Sequence, residues 1–593
     1  MNWLSPHRIK KRPFPFTKPT EKDYIRLRIT LVGCLFAVFF AAIAAKAIYV
    51  QIYQGPWLSQ KAISEIEKVM TVREKRGVIY DRNHHELAMT IDAVSISAFP
   101  RFMKDKSDAA ARLSKALGLK ADRLKAKLTA GNGFKWIKRK VTPREVRAVR
   151  ELSIEGIDFV SEHSRYYPQG SLAAQITGFT GVDGRGLEGI EFYYDAQLKG
   201  EERKLKVMKD ALGKKFGGER EEPFESSARN LVLTVDKTIQ YITERALKEA
   251  VVEYKAKSGM AVVMNPLTGA VYAIANYPFF NPNAFDQFDR SAYRNRAITD
   301  TFEPGSTMKI FSVAAAIEYG GCTPNTIFYC ENGKYKVGRF TIHDTHEYGW
   351  LSLRKILKFS SNIGAMKMSE MIGAQSLHQT LKNFGFGDPT GIDCPGEAPG
   401  ALSQYQKWSQ VHTGVVSFGH GMSATAIQLA AAVSAIANKG VLMRPYMVSA
   451  VTDQKGNVVE AFNPQIMKRA VSEKTAETMK EMMRSVVETG GTGTEADIEG
   501  YTVCGKTGTA RKVNKDGRYE RGSYISSFVG FAPAENPIMT VLVVIDDPQK
   551  KYYGGLVAAP AFKKIVRESL NYMDIPPENN MKRLTASLAD RHR

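Results

Sequence analysis

From Ile29 to Ala45 the chain carries no charged side chain, and eight Lys or Arg precede this run between residues 1 and 28 against only Glu21 and Asp23. With Ala47 to Val50 added, the segment is about 30 Å long as a helix, enough to cross the hydrocarbon core of a bilayer. Lys46 falls near its far end, where a long stem can carry its ammonium group to the headgroups. The basic residues upstream keep residues 1–28 cytoplasmic, so the span is residues 29–50 and everything beyond about residue 50 is exported. A cleaved signal peptide would instead use Ala42-Ile43-Ala44 as its processing site and leave a mature chain starting at Ala45; the long apolar run and the extended basic region favour the anchor. A buried core helix conflicts with the basic flanks.

Export narrows the remaining classes. The formal charge of +22 would suit a nucleic-acid partner, but an exported chain rarely meets one. At 593 residues the chain exceeds what one core organises, so two or more domains are expected. Five cysteines are too few for a disulfide scaffold. Cys322 and Cys330 are close enough in sequence to pair across a loop, or to remain two thiols; Cys34 belongs to the span, and Cys394 and Cys504 read as small packed residues.

Residues 51–225 are basic and turn-rich, and the charged stretch GKKFGGEREEPFESSARN marks a boundary, with a second domain over 226–571 and a polar tail over 572–593. In the second domain, SGMAVVMNPLTGAVYAIAN reads as two strands joined by Asn265-Pro266-Leu267-Thr268-Gly269, because Pro and Gly set the turn dihedrals. Residues 306–440 are mostly helical. Three strands follow, in YTVCGKTGTA, SYISSFVGFA and IMTVLVVIDD. Strands at both ends with helices between predict an α+β fold whose single sheet is closed by both ends of the domain.

Within FEPGSTMKIF (302–311), Lys309 opens an otherwise apolar run, Ile310, Phe311, Val313 to Ile317. Pro304-Gly305 breaks the chain just before it, which puts Ser306 at a helix N-terminus and Lys309 one turn on, on the same face. A lysine desolvated among apolar groups is pushed toward the neutral amine, so the pair suits a nucleophile and its base. The spacing alone is weak: Ser352-Leu353-Arg354-Lys355 repeats it and reads as a solvated helix start. Two further elements strengthen it. Ser360-Ser361-Asn362 puts a hydroxyl and an amide at the head of another apolar run, although an N-cap is the simpler role. Lys506-Thr507-Gly508-Thr509 lies on a strand where Gly508 would admit a substrate backbone, and where Lys506 and the two hydroxyls could take a carboxylate.

Ser-x-x-Lys, Ser-x-Asn and Lys-Thr-Gly in this order resemble the penicillin-recognising serine acyltransferases. RGVIYDRNHHELA, RYYPQGSLAAQITGF and GLEGIEFYYDAQLKG are similar to the non-catalytic pedestal of class B penicillin-binding proteins. FEPGSTMK, SFGHGMSATAIQLA, CGKTGTARK and DDPQKKYYGGLVAAPAF are similar to the transpeptidase domain of their division-specific members. The match runs from the span to about residue 570. Two departures stand out: His84 follows Asp-Arg-Asn where glycine is usual, which puts a left-handed turn in question, and Cys504 replaces a common alanine.

The resemblance implies a transpeptidase domain with an antiparallel sheet of about five strands and an all-helical subdomain. It also implies D,D-transpeptidation of peptidoglycan stem peptides in septal synthesis, inhibition by β-lactams, and no metal or organic cofactor. Ser306 would be the nucleophile and Lys309 its base. Ser360 would relay the proton, Asn362 would hold the stem amide, and Lys506, Thr507 and Thr509 would bind the terminal carboxylate. The backbone N–H groups of Ser306 and Thr509 would form the oxyanion site. Partners would be a lipid-linked glycan polymerase and other division membrane proteins, at the inner membrane with the catalytic domain periplasmic. An elongation-specific transpeptidase, a D,D-carboxypeptidase, a β-lactamase, a β-lactam sensor and a scaffold with a dead site are the alternatives. His343-Asp344-Thr345-His346 lacks the spacing of a zinc site and reads as a polar loop. His420 lies near the site by analogy, and Tyr552 and Tyr553 either wall the cleft or pack elsewhere.

Overall fold

The computed structural model describes residues 21–209, 215–218, 227–513, 516 and 518–578. Most of the basic tail, the part of the charged boundary stretch at 219–226 and the tail past 578 lie outside the described residues. The chain divides into two compact units, residues 1–72 with 202–224, and residues 73–201 with 225–593.

In the first unit, helix α1 (Glu21–Ile48) continues through a π-helical turn at Tyr49–Tyr53. The stretch Tyr24–Tyr53 is long and apolar enough to cross a membrane, and none of it is buried against protein. A second helix, Gly55–Ile66, follows, and a three-stranded sheet combines Glu67–Arg73, Glu202–Lys209 and Lys215–Gly218.

The second unit is built on a five-stranded antiparallel sheet. Helix α2 (Lys237–Glu253) precedes the hairpin of β1 (Ser258–Met264) and β2 (Val271–Tyr277). Its turn closes as the sequence predicts: Asn265 accepts the Gly269 N–H at 3.0 Å, and its side chain takes the Leu267 N–H at 2.8 Å. Gly269 has φ +79°, a left-handed conformation that suits glycine. The helices α3 (Lys309–Glu318), α4 (Leu353–Phe359), α5 (Asn362–Asn383) and α6 (Ala426–Ala437) come next. The sheet is completed by β3 (Cys504–Val513), β4 (Tyr519–Ala532) and β5 (Met539–Asp546), and helix α7 (Ala559–Tyr572) follows. The strand order is β2-β1-β5-β4-β3, so the C-terminal β5 pairs with the N-terminal β1 and the two ends of the domain close one sheet.

Strand period sorts the two faces of this sheet. Val262, Met264, Leu542 and Val544 join one core with α6, while Ala261, Val263, Val541 and Val543 join another with Ile239 and Leu247 of α2 and Phe562 and Ile565 of α7. Because both faces are covered, β1 and β5 read as continuous apolar runs rather than alternating ones. α6 is buried at every position, and its Thr425-to-Gln428 capping box satisfies N–H groups that the core would otherwise strand. β3 lies at an edge of the sheet, which leaves one of its flanks open to what packs there. Ser352 caps α4 by accepting the Lys355 N–H, so this second Ser-x-x-Lys is a helix start, as its sequence predicts.

A second sheet runs across the charged boundary near residue 225. The pedestal strand Ile79–Tyr80 pairs in parallel with Asn230–Leu233, which pairs in turn with Val448–Thr452; on its other side it meets the long strand Glu86–Ala98. The three pedestal motifs converge on one buried ion cluster. Arg76 reaches Glu191 at 2.5 Å and Asp195 at 2.6 Å, and Arg165 reaches Glu191 at 2.6 Å; Glu191 is wholly buried. His84 keeps the left-handed turn that glycine would favour, with φ +61°, and donates its N–H to the Asp81 carbonyl. A β-carbon in that region costs roughly 1–2 kcal/mol. Cys322 and Cys330 are separate buried thiols.

Candidate functional site

The lysine that opens an apolar helix sits in a short 3-10 turn's wake: Gly305–Met308 forms that turn, and α3 begins at Lys309. Ile310, Phe311, Val313 and Ala314 to Ala316 are all fully buried, and Phe311 packs against the rings of Phe384 and Phe386 at 4.7 and 5.0 Å. This packing fixes the helix and draws Lys309 into the interior, where none of its surface is exposed.

Four oxygens surround the Lys309 Nζ: Ser306 Oγ at 3.1 Å, the Ser360 carbonyl at 2.5 Å, Ser360 Oγ at 3.2 Å and Asn362 Oδ1 at 2.7 Å. The two carbonyl oxygens can only accept, so they take two N–H groups. The remaining position faces the hydroxyls, and there a neutral amine can accept the Ser306 O–H through its lone pair. Burial pushes the Lys309 pKa down to about 7, partly offset by the charge of Asp344. Lys506 is also fully buried, and burial, then the charge of Lys309, holds its pKa well below that of a free lysine. Its Nζ donates to Ser360 Oγ at 3.0 Å and lies 3.2 Å from Thr507 Oγ1, which in turn donates to Thr492 Oγ1 at 3.1 Å. A continuous polar chain therefore runs Ser306, Lys309, Ser360, Lys506, Thr507, Thr492.

Ser360 is not an N-cap. It ends α4 in a left-handed conformation with φ +62°, and Ser361 caps α5 by accepting the Gly364 N–H. A non-glycine residue held there points to a constraint from its surroundings. Asp344 supplies one: its carboxylate accepts the Asn362 N–H at 2.5 Å, the Ile363 N–H at 3.1 Å and the Ser361 hydroxyl at 2.5 Å. Asn362 Nδ2 donates to the His343 carbonyl at 3.0 Å. The polar loop 343–346 is thus a bracket for Ser360-Ser361-Asn362. Sequence reasoning passed over Asp344 because nothing local ties it to a helix that starts 18 residues later.

The Lys-Thr-Gly strand meets the nucleophile turn directly. A β-carbon at Gly508 would lie 2.2 Å from Ser527 Oγ, 2.9 Å from Thr307 Cγ2 and 3.1 Å from the Pro304 carbonyl. The side where a β-carbon would stand is filled by the protein's own turn, so glycine brings β3 against the Ser306 turn. Thr509 Oγ1 accepts the Gly554 N–H at 3.0 Å, which fastens the Tyr552-Tyr553-Gly554-Gly555 stretch to β3. Tyr552 stacks on Tyr524 at 4.2 Å, and both Tyr552 and Tyr553 are exposed beside this strand. Thr492 is a further member of the site's surroundings that carries no motif of its own, and Glu303, inside FEPGSTMK, was given no role from sequence.

A serine hydroxyl beside an amine kept neutral by burial, with a second hydroxyl bridging to another buried amine, is the arrangement of an acyl-transfer nucleophile. Residues 259–567 match the family model of the penicillin binding protein transpeptidase domain, and residues 71–233 that of the penicillin-binding protein dimerisation domain. The chain belongs to the class B penicillin-binding proteins, of the septal transpeptidase type. It is 37% identical over 557 residues to a probable peptidoglycan D,D-transpeptidase PenA of Neisseria meningitidis, covering 93% of each chain. It is 34% identical over 573 residues to the peptidoglycan D,D-transpeptidase FtsI of Escherichia coli strain K12, covering 95% of each. The crystal structure of penicillin binding protein 3 from Mycobacterium tuberculosis in complex with aztreonam superposes with a TM-score of 0.67 at 29% identity, over 86% of this chain and 98% of that one.

Proposed function

We propose that this protein is a membrane-anchored peptidoglycan D,D-transpeptidase that crosslinks stem peptides during septal wall synthesis, and that β-lactams acylate it at Ser306. Ser306 Oγ attacks the penultimate D-Ala carbonyl while Lys309 takes its proton, and Ser360 hands a proton to the amine of the departing D-Ala. The N–H groups of Ser306 and Thr509 hold the oxyanion; one such donor is typically worth roughly 3–4 kcal/mol. Lys506, Thr507 and Thr509 bind the terminal carboxylate, Asn362 binds the stem amide, and Gly508 keeps the strand close. An amine from a neighbouring stem then receives the acyl group.

The observation that carries this reading is the placement of Ser306 and Ser360 hydroxyls within 3.2 Å of one buried lysine amine. The residues divide by role into an N-terminal tail (1–28), an inner-membrane span (29–50), a pedestal (51–225) and the periplasmic transpeptidase domain (226–571). The span and pedestal dock a lipid-linked glycan polymerase and other division proteins. Labelling with a fluorescent penicillin tests the nucleophile: wild type labels and Ser306→Ala does not, whereas equal labelling refutes the assignment. Depletion tests the septal role, which predicts filaments; round cells would place the protein in elongation.

A further inference from the structure

At the joint between the pedestal and the transpeptidase domain, two short pedestal helices, Gly189–Tyr193 and Asp195–Leu198, meet the segment that runs from Arg444 through the strands Val448–Thr452 and Val458–Ala461 to Gln465. Tyr194 fastens this joint. Its hydroxyl donates to Asp393 Oδ2 at 3.1 Å, and its ring meets Phe462 at 6.5 Å and Tyr193 at 5.1 Å. Asp393 is almost wholly buried and accepts the Met447 and Val448 N–H groups at 2.6 and 2.8 Å, so both its oxygens serve the fold.

Between these parts lies a cavity of about 330 Å³. Small-molecule sites run from about 300 Å³ upward, favour domain interfaces and combine aromatic walls with a few polar groups. A cavity of about 150 Å³ already takes a benzene ring, so this one has room for a side chain with its flanking amides. Besides Tyr194 and Asp393, its border includes the rings of Tyr193, Tyr446 and Phe462 and the charges of Arg444 and Glu460. Arg444 donates through Nε to the Gly391 carbonyl at 2.7 Å and through Nη1 to Gln465 Oε1 at 3.2 Å, which leaves its Nη2 donors unused among the described residues. Glu460 lies on an exposed strand, and among the described residues no cation comes within ion-pairing distance of it. Arg444 and Glu460 border one cavity and do not pair with each other. Two charges of opposite sign therefore stand apart around the same space, each without a counter-ion.

We propose that this cavity is a second binding site for an uncrosslinked stem peptide, whose carboxylate pairs with Arg444 and whose free amine pairs with Glu460. The inference rests on the transpeptidase reading above, which makes such stems the enzyme's substrate, and deepens it. Charge-assisted hydrogen bonds to a guanidinium favour a carboxylate over a neutral amide. The aromatic rings offer apolar surface to the aliphatic part of the peptide. None of the border residues belongs to the motifs of Ser306, Ser360 or Lys506, so a stem held here leaves the cleft free and keeps polymer at the enzyme between turnovers.

The test uses the full-length protein in detergent, its cleft first blocked by penicillin, titrated calorimetrically with L-lysyl-D-alanyl-D-alanine, which carries both charges. Saturable binding at one site is expected. Diacetylation of the peptide, which removes its amines, should weaken binding about tenfold, as should Glu460→Gln or Arg444→Gln, the effect of losing one hydrogen bond to a charged group. Arg444 also holds the Gly391 carbonyl, so Glu460→Gln, on an exposed strand, keeps the test decisive if the Arg444 variant fails to fold. Absence of saturable binding to the acylated wild type overturns the proposal, and so does equal affinity for the diacetylated peptide or in Glu460→Gln. Equal affinity for free D-alanine would give the site to the leaving group and overturns the peptide assignment. A wild type that penicillin does not acylate refutes the transpeptidase reading itself; peptide binding that Glu460→Gln still weakens would then uphold the cavity as a site.

Discussion

Lys309 and Ser360 meet twice, the amine lying 2.5 Å from the Ser360 carbonyl and 3.2 Å from its hydroxyl. The first contact consumes an N–H and fixes the amine; the second puts the hydroxyl between two lysines. This double contact requires the left-handed Ser360 backbone, which turns both oxygens of one residue toward one nitrogen.

Acylation by a β-lactam should rise with pH through about 7, as Lys309 loses its proton. Lys309→Ala should abolish labelling with the fold retained. Stability gives an independent reading of the sign. The folded pKa is depressed from 10.5 to about 7, so between these values the unfolded chain binds more protons and stability rises with pH. Below about 7 both states are protonated and the folded protein bears a penalty on the order of several kcal/mol. Lys309→Met should therefore flatten the pH dependence of unfolding between about 7 and 10.5. An acylation profile without an ascending limb near 7 would assign the base elsewhere.

Asp344→Ala removes the acceptor for the Asn362 and Ile363 N–H groups and for the Ser361 hydroxyl. A lost cap costs about 1–2 kcal/mol, measurable by urea unfolding. Since Asp344 raises the Lys309 pKa, the ascending limb of the acylation profile should also move to lower pH. A variant with normal acylation at all pH values would show that the bracket is dispensable.

Gly508→Ala forces a β-carbon into contact with Ser527, Thr307 and Pro304. Strand and nucleophile turn must separate, and a displacement near 1 Å typically costs about 10² in rate. Acylation should fall by that order while the melting temperature changes little, as read by stopped-flow labelling and calorimetry.

Glu191→Ala strips the shared partner from Arg76 and Arg165, both almost wholly buried at the side chain. Arg76 keeps Asp195, but Arg165 loses its carboxylate partner, and a buried charge left uncompensated typically costs about 3–5 kcal/mol. Chemical denaturation should show the loss, and the penicillin acylation rate of the still-folded fraction should remain near that of wild type, because the ion cluster binds pedestal motifs to each other.

Much of this was legible in local sequence. The apolar run of α1, the Asn265–Gly269 turn, the closure of one sheet by both chain ends and the Ser306–Lys309 spacing depend on periodicity and on turn residues, which act over a few positions. The polar role of Ser352 as a cap was readable for the same reason. The packing of Gly508 against the turn at Pro304–Thr307 was not legible, because that neighbour is about 200 residues away. The His84 turn stayed left-handed without glycine because Asp81 and His85 close it from both sides.

The sequence by itself determined an exported, anchored chain and three motifs with compatible chemistry, since charge, apolar length and residue type are properties of the segment. Tertiary structure alone decided that Lys309 is dry, that Ser360 bridges two amines, that Asp344 holds the loop and that Glu303 meets His420. Each of these depends on groups distant along the chain reaching hydrogen-bond distance in a low-dielectric interior, and desolvation has no meaning until the core that excludes the water has formed.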